Sequence, residues 1–280
     1  MIGYRFRQAI NKAMLGFCTL SAATAIVTLA VILGYIGFKG FAALNFDFLV
    51  SLPQPVGETG GGVANAIAGT LILVGLACAL GVPIGLMAGI FLAEFAERRL
   101  GYLIRFTADV LFGVPSIVTG IFVYTLLVVR MGGFSALSGG LALGLIMIPI
   151  IARTAEEALR LVPASLREAG LALGVPQLRV ILSIVLPGAL PGVITGIMLG
   201  IARVAGETAP LLFTAFGSRL RYQGLEEPIA ALPLQIYRYA ISPYADWQTQ
   251  AWGASLLLVV MVLLTGVVAR IMTRRGAQRF

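Results

Sequence analysis

The sequence lacks histidine altogether and has few charged residues. Histidine is the usual general base and the commonest metal ligand near neutral pH, so its absence excludes most hydrolases and metalloenzymes. Only 11% of the 280 residues are charged, whereas soluble domains carry about 25%. The two cysteines, Cys18 and Cys78, stand alone in apolar stretches without the spacing of a metal or redox pair. We therefore expect no catalytic residue, no metal site and no cofactor.

Long apolar runs dominate the chain instead, and 59% of its residues are hydrophobic. A membrane-spanning helix needs about 20 apolar residues, and the hydrocarbon admits no unpaired strand. Six charge-free runs reach that length, at residues 14–38, 63–93, 110–129, 131–152, 180–202 and 247–269. The predicted fold is therefore an all-α integral membrane protein with six transmembrane helices.

Basic residues indicate which side of the membrane each connection occupies, by the positive-inside rule. Fourteen of the 20 lysines and arginines fall in alternate connections that share one side: Arg5, Arg7, Lys12, Arg98, Arg99, Arg105, Arg153, Arg160, Arg167, Arg179, Arg270, Arg274, Arg275 and Arg279. Both chain termini are therefore expected in the cytoplasm. The net charge of +8 forms no aromatic-interleaved patch, so lipid is the expected surface partner and nucleic acid is not.

A single membrane domain is the organisation that these runs predict. It comprises a cytoplasmic N-terminal segment at residues 1–13, the six-span domain at 14–272 and a cytoplasmic tail at 273–280. Two long outer loops, at 39–62 and 217–246, either connect spans or meet a partner outside the membrane. Glycines repeat at every fourth position in two runs, at Gly81, Gly85 and Gly89, and at Gly188, Gly192, Gly196 and Gly200. Such stripes predict close helix packing.

The cytoplasmic segment 156–180 has a helical pattern although its first part is too polar to face lipid. Ser165 and Glu168 have capping-box spacing, which predicts a helix that begins there. An apolar face follows at Leu166, Ala169, Gly170 and Leu173. Gly174, followed by Pro176, is expected to end this helix before a second helix enters the fifth run. Such a segment either docks into a groove of another protein or lies on the bilayer surface.

The same segment resembles the EAA loop of ABC importer permeases. The likeness rests on Glu168-Ala169-Gly170, three residues, Gly174, nine residues, and Ile184-Val185-Leu186-Pro187, with Gly170 where many members have a second alanine. The resemblance implies a MetI-like fold in which this loop is the coupling helix for a separate ATPase, and the sequence has no G-x-x-x-x-G-K-[ST] motif of its own. The coupling residues that it implies are Ser165, Glu168, Ala169, Gly170, Gly174, Ile184, Leu186 and Pro187.

One charged pair interrupts the fifth apolar stretch. Arg203 and Glu207 are the only charges in the 33 residues from Ile184 to Phe216. As a helix this stretch would be about 50 Å long against about 30 Å of hydrocarbon, so it is expected to break near Gly206 and Pro210. Charges inside a membrane usually mark a solute pathway, unless the pair only neutralises itself and holds helices together.

The stretch ARVAGETAPLLFTAF from Ala202 resembles the A subunits of bacterial phosphate-specific transport (Pst) permeases, as do GGGVANAIAGTLILVG from Gly60 and FGVPSIVTGIFVY from Phe112. This resemblance implies an ATP-driven importer of inorganic phosphate in the bacterial inner membrane. The implied partners are ATPase subunits, a second related permease and an extracytoplasmic phosphate-binding protein. The implied substrate pathway comprises Arg203, Glu207 and Thr208. Arginine suits phosphate oxygens, and a carboxylate can accept the proton that phosphate retains and sulfate lacks.

Other functions remain open at the level of sequence. A permease for sulfate or molybdate would share the coupling loop and most of the topology. A secondary transporter or channel would need neither an ATPase nor a binding protein, and the EAA-like loop argues against both. An intramembrane enzyme would need a nucleophile with a partner, and neither Ser116 nor Thr119 has a visible one.

Overall fold

The computed structural model describes residues 3–55, 58, 60–96 and 98–277, and helix is the regular structure throughout this part of the chain. The helices are α1 (Tyr4–Phe41), α2 (Phe46–Val50), α3 (Ala64–Glu94), α4 (Arg98–Gly113), α5 (Ser116–Val123), α6 (Val129–Met131), α7 (Ala136–Arg160), α8 (Ala164–Ala172), α9 (Gln177–Val180), α10 (Leu186–Ala205), α11 (Ala209–Thr214), α12 (Leu232–Ala240) and α13 (Ala245–Ala277). π-Helical turns join α5 to α6 at Tyr124–Val128 and α9 to α10 at Ile181–Val185. The last part of the predicted tail, including Arg279, lies outside the described residues.

Five described helical segments are long and apolar enough to cross a membrane, namely α1, α3, α7, the continuous segment Gln177–Ala205 and α13. A bent pair, Arg99–Gly113 and Ser116–Met131, is long and apolar enough for a sixth crossing if its two parts, which meet at 99°, count as one span. The predicted run at 110–129 is therefore broken near its start, because residues 110–113 belong to α4. Pro115 causes the break, since it lacks an N–H and restricts the residue before it to extended backbone.

Helix α7 lies at the centre of the molecule. The glycine stripe of α3 packs on one side of it, where a methyl group on Gly85 would lie 2.8 Å from Cβ of Ile151. The stripe of α10 packs on another side, where a methyl group on Gly192 would lie 2.7 Å from Cβ of Ala158. Both predictions of close helix packing are confirmed, and both stripes meet the same helix. The start of α7 also differs from the prediction, because residues 132–135 turn and Ser135 caps the helix through Ser138.

The two long outer loops fold together into one layer at the same end of the bundle. Asn65 donates to the carbonyl of Ser218 at 2.7 Å, and the amide of Leu232 donates to the hydroxyl of Thr70 at 2.8 Å. The side chains of Phe48 and Leu232 are buried in an apolar cluster beneath α2 and α12. The connections that are rich in arginine lie at the opposite ends of the same helices. The structure therefore separates the chain into the two sides that the charge pattern predicts.

Candidate substrate pathway and coupling site

The fifth apolar stretch breaks between α10 and α11, where the sequence predicts it. Helix α10 ends at Ala205, and Gly206 follows it as the cap. Pro210 lies in the first turn of α11 and has no N–H to return to the carbonyl of Gly206, so the helical ladder cannot continue. Thr208 stands at the start of α11 and is half-buried, without a capping hydrogen bond from its side chain. The break leaves three consecutive non-helical residues inside an otherwise apolar stretch.

Arg203 lies in the last turn of α10 and Glu207 lies in the break, and the two side chains are only loosely paired. Nε of Arg203 lies 3.7 Å from Oε1 of Glu207, beyond the usual distance of a charged hydrogen bond. The side chain of Arg203 is 44% exposed, whereas that of Glu207 is 17% exposed. The guanidinium also lies 5.5 Å from the centre of the Phe112 ring, at the end of α4. Within the described part of the chain, the contacts of Arg203 therefore leave some of its donors without an acceptor.

The break in α10–α11 packs against the bent third crossing. A methyl group on Gly120 of α5 would lie 2.6 Å from Cα of Pro210, so these two backbones approach closely only because Gly120 has no side chain. Leu211 is buried in the main core beside α7. The irregular backbone at residues 206–208 is thereby supported by protein on one side, as a membrane protein requires.

The coupling loop forms the predicted helix, but its start is different from the prediction. Helix α8 begins at Ala164, and Pro163 occupies the capping position with extended backbone angles. Ser165 is already the second helical residue, so the capping box with Glu168 is wrong. The proline fixes the chain in an extended conformation immediately before the helix, and the amide of Leu166 bonds to its carbonyl.

The end of α8 follows the prediction at Gly174. This residue has φ of +76°, which only glycine adopts comfortably. Its amide donates to the carbonyl of Leu171 at 2.9 Å, and the amide of Val175 donates to the carbonyl of Gly170 at 3.2 Å. These two bonds make a Schellman turn that directs the chain through Pro176 into α9.

The predicted coupling residues divide into an outer and an inner group. The outer group is exposed on α8 and comprises Ser165, Glu168 and Ala169. Several leucines in or next to α8 are also exposed: Leu161, Leu166, Leu171, Leu173 and Leu178. The predicted apolar face is therefore uncovered except at Gly170, which packs on Val180 and Ile184.

The inner group supports α8 from beneath. Ile184 and Leu186 pack in a cluster with Val180 and Val185, and Pro187 lies half-buried in the first turn of α10. A second alanine at position 170 would bring its methyl group to 2.9 Å from Val180, which accounts for glycine at this position.

An ion pair that the sequence reasoning missed anchors α8 to the end of α3. Nη2 of Arg167 donates to Oε1 of Glu94 at 2.7 Å, and Nε of Arg167 also contacts that carboxylate. Two further N–H groups of Arg167 donate to the carbonyls of Val162 and Leu159. Glu94 is only 6% exposed. The sequence placed Arg167 among the cytoplasmic basic residues, and a lone acid at the end of the second span was the only sign of its partner.

A second missed cluster surrounds Glu156, which is 1% exposed. Its two carboxylate oxygens contact Arg105 at 2.6 Å, Arg160 at 2.8 Å and Arg153 at 3.0 Å. Arg153 also reaches Asp109 at 3.2 Å. These contacts tie α4 to α7 close to the coupling loop. Two carboxylates thus hold the arginine-rich ends of α3, α4, α7 and α8 together.

Comparison with known proteins agrees with this arrangement. The family model described as "Binding-protein-dependent transport system inner membrane component" matches residues 81–280. The chain is 46% identical over 234 residues to the phosphate transport system permease protein PstA of Yersinia pestis, which covers 83% of this chain and 79% of that protein. It is 43% identical over 275 residues to the protein of the same name from Xylella fastidiosa, which covers 98% of this chain and 96% of that one.

Solved structures share the fold at low sequence identity. A bacterial ABC transporter involved in the import of the acidic polysaccharide alginate matches with a TM-score of 0.66 and 16% identity, over 97% of this chain and 99% of that chain. The inward-facing MetNI methionine ABC transporter matches with a TM-score of 0.61 and 21% identity, over 77% and 94% respectively. These likenesses confirm the predicted MetI-like fold. The chain belongs to the family of binding-protein-dependent transport system inner membrane components.

Proposed function

We propose that this chain translocates inorganic phosphate across the bacterial cytoplasmic membrane as one permease subunit of an ATP-driven importer. The names of relatives at 43% and 46% identity support this substrate. The observation that carries the proposal is the incompletely paired Arg203 beside the break at Gly206. A guanidinium presents a fork of donors and stays charged. Arg203 can therefore donate to two oxygens of a phosphate ion, because its loose contact with Glu207 leaves donors available.

Glu207 supplies the selectivity in this proposal. Phosphate keeps a proton at neutral pH, so it can donate a hydrogen bond to a carboxylate, whereas sulfate has no proton to donate. A half-buried carboxylate beside the arginine therefore repels sulfate more strongly than phosphate. Thr208 adds a hydroxyl at the same break, where it can donate to an anion or accept from its proton.

The proposed partners follow from the surfaces that the single chain leaves open. The exposed leucines of α8 suit an apolar cleft of a cytoplasmic ATPase subunit. A second related permease completes the pathway on the open side of Arg203, and an extracytoplasmic phosphate-binding protein delivers the ion to the outer layer. The distribution of basic residues supports a cytoplasmic location for both termini in this proposal.

Substitution of Arg203 by lysine tests the proposed pathway. Arg203→Lys keeps the charge but loses the forked arrangement of donors, so we expect normal assembly with the ATPase. Phosphate uptake is expected to be at least about tenfold slower, because one charge-assisted hydrogen bond to the anion is lost. Uptake of radiolabelled phosphate and sulfate is measured in proteoliposomes that contain the complete importer. Arg130→Lys, at an exposed arginine on α6, is the matched control. Full phosphate uptake by the Arg203 variant would show that this residue has only a structural role. Uptake of sulfate but not of phosphate by the wild type would contradict the proposed substrate.

A further inference from the structure

Two arginines lie together in the outer layer without an acidic partner. Arg219 follows the end of α11, and Arg238 lies in the last turn of α12. Both line a small cleft of about 70 Å³, far below the roughly 300–1,000 Å³ of sites for drug-sized ligands. Neither guanidinium forms an ion pair with a carboxylate in the described part of the chain. This cleft is the place in the outer layer where positive charge is concentrated and uncompensated.

The walls of the cleft hold the arginines in position. Arg238 donates to the carbonyl of Phe216 and lies 5.3 Å from the centre of its ring. Arg219 lies 5.6 Å from the centre of the Trp247 ring, which stacks on Tyr239 at 4.6 Å. These contacts hold both guanidinium groups at the same cleft, but none of them neutralises a charge.

Neutral hydrogen-bonding groups form another part of the lining. Ser218, Gln235 and Tyr239 line the same cleft, and the side chains of Gln235 and Tyr239 are buried. Burial raises the pKa of the Tyr239 phenol, so its hydroxyl keeps its proton and can donate. The remaining wall is largely apolar and includes Leu234. The cleft therefore combines two guanidinium groups and a few neutral polar groups with an apolar wall.

The electrostatics of Arg238 favour an anion in this cleft. Burial, followed by the positive charge of Arg219, lowers the pKa of Arg238. The guanidinium still stays charged at neutral pH, so partial burial and the charge of Arg219 both act against it. An anion between the two arginines would relieve both costs.

The backbone joins this cleft to the proposed pathway. Phe216 has φ of +60° and is the one non-glycine residue with positive φ in the described part of the chain. Such a conformation is costly for a side chain of this size and persists when surrounding contacts require it. Phe216 comes directly after the α11 segment that begins at the Arg203 and Glu207 break. The lining of the cleft begins at Gly217, the next residue, so a short stretch of chain connects the cleft to the break.

We propose that Arg219 and Arg238 form a second anion subsite at the outer entrance, which receives inorganic phosphate before it reaches Arg203. The subsite binds a small tetrahedral oxyanion between the two guanidinium groups, with Ser218, Gln235 and Tyr239 as neutral partners. It rests on the proposed function, since the anion that it holds is the transported substrate.

Substitution of Arg219 separates this role from a structural one. Arg219→Gln removes one charge and leaves the bond between Arg238 and Phe216 intact. We expect about tenfold lower maximal phosphate uptake, or about 1.4 kcal/mol, in proteoliposomes that contain the importer and saturating loaded binding protein. Arg221→Gln is the matched control, because Arg221 lies in the same loop, is exposed and does not line the cleft. Its uptake is expected to equal that of the wild type.

Each other outcome of this experiment overturns the subsite. Equal losses for Arg219→Gln and Arg221→Gln would assign the effect to the net charge of the loop. Recovery of the Arg219 variant at higher concentrations of binding protein would assign it to docking of that protein. Unchanged uptake would show that the cleft is not on the route. The wild type is measured in parallel, and a wild type that moves no phosphate contradicts the proposed function itself.

Chemical labelling gives a direct measure of occupancy. A dicarbonyl reagent selective for arginine, applied from outside to the wild-type importer, is expected to modify Arg219 several-fold more slowly in saturating inorganic phosphate than in chloride. Labelling of Arg221 is expected to be the same in both salts. Mass spectrometry of the peptides quantifies each site. Equal labelling of Arg219 in the two salts overturns the proposal.

Discussion

Two pairs in this chain each consist of an arginine and a glutamate, but one pair is tightly bonded and the other is loosely joined. Arg167 meets Glu94 at 2.7 Å and donates to two carbonyls as well, so nearly all of its donors are used. Arg203 and Glu207 approach only to 3.7 Å, and the side chain of Arg203 is 44% exposed. The first pair joins residues 73 apart in sequence, whereas the second joins neighbours on one helix end.

This difference indicates which charged residues stabilise the fold and which have donors left to bind a ligand. A buried carboxylate that is fully paired locks α8 to α3 and gives the coupling loop a fixed position. A loosely paired arginine at a helix break has donors to spare for a ligand. The contrast predicts that substitutions in the first pair change stability and that substitutions in the second change transport.

The largest expected effect on stability is that of Arg167→Ala. It leaves Glu94 buried without its partner, and such a loss costs about 3 kcal/mol. We expect less complex in the membrane, a lower thermal midpoint after solubilisation and loss of the bound ATPase. Arg179→Ala is the matched control, since Arg179 is exposed in α9 and forms no ion pair within the described residues. A thermal midpoint of Arg167→Ala equal to that of the control would break the comparison.

A smaller effect is expected from Gly174→Val, which changes the turn after α8. The left-handed conformation costs a residue with a side chain about 1–2 kcal/mol, and a β-branched residue most of all. We expect the chain to insert normally but to lose phosphate uptake and co-purification of the ATPase. Gly188→Ala is the control, because an added methyl group there meets Val162 at an ordinary 3.7 Å. Retained ATPase association in the valine variant would show that this turn does not set the coupling helix.

The smallest effect on stability is expected from the double variant Arg203→Gln with Glu207→Gln. The pair is partly exposed and loosely joined, and such pairs contribute only about 0.2–1 kcal/mol. We expect a thermal midpoint close to that of the wild type, normal ATPase binding and almost no phosphate uptake at matched abundance. Normal phosphate uptake by this variant would contradict the proposed role of the pair in transport, because the two charges would then only neutralise each other.

Local patterns in the sequence predicted the features that depend on a few neighbouring residues. The break at Gly206 and Pro210 followed from length and missing hydrogen bonds, and the turn at Gly174 followed from its glycine and Pro176. The capping box at Ser165 was wrong for a local reason as well, because Pro163 takes the capping position and starts the helix two residues earlier than a Ser165 cap allows. Similarly, Pro115 bends the third crossing by 99° where hydropathy alone showed a continuous run.

Tertiary contacts could not be predicted in this way. Glu94 and Arg167 are 73 residues apart, and Arg105 and Glu156 are 51 apart, so no periodicity connects them. The cleft of Arg219 and Arg238 likewise depends on how two outer loops fold together. Charge counting placed each of these residues on its side of the membrane but did not say which would be paired.

The sequence by itself determined that the chain has helices able to cross a membrane, how basic residues alternate between the connections, and where glycine and proline interrupt the helices. Those properties follow from the cost of placing charges and unpaired backbone in hydrocarbon, which acts on each segment separately. Only the tertiary structure decided that both glycine stripes meet α7 and which arginines have partners. The energy of a charge depends on what surrounds it in space, and those neighbours come from distant parts of the chain.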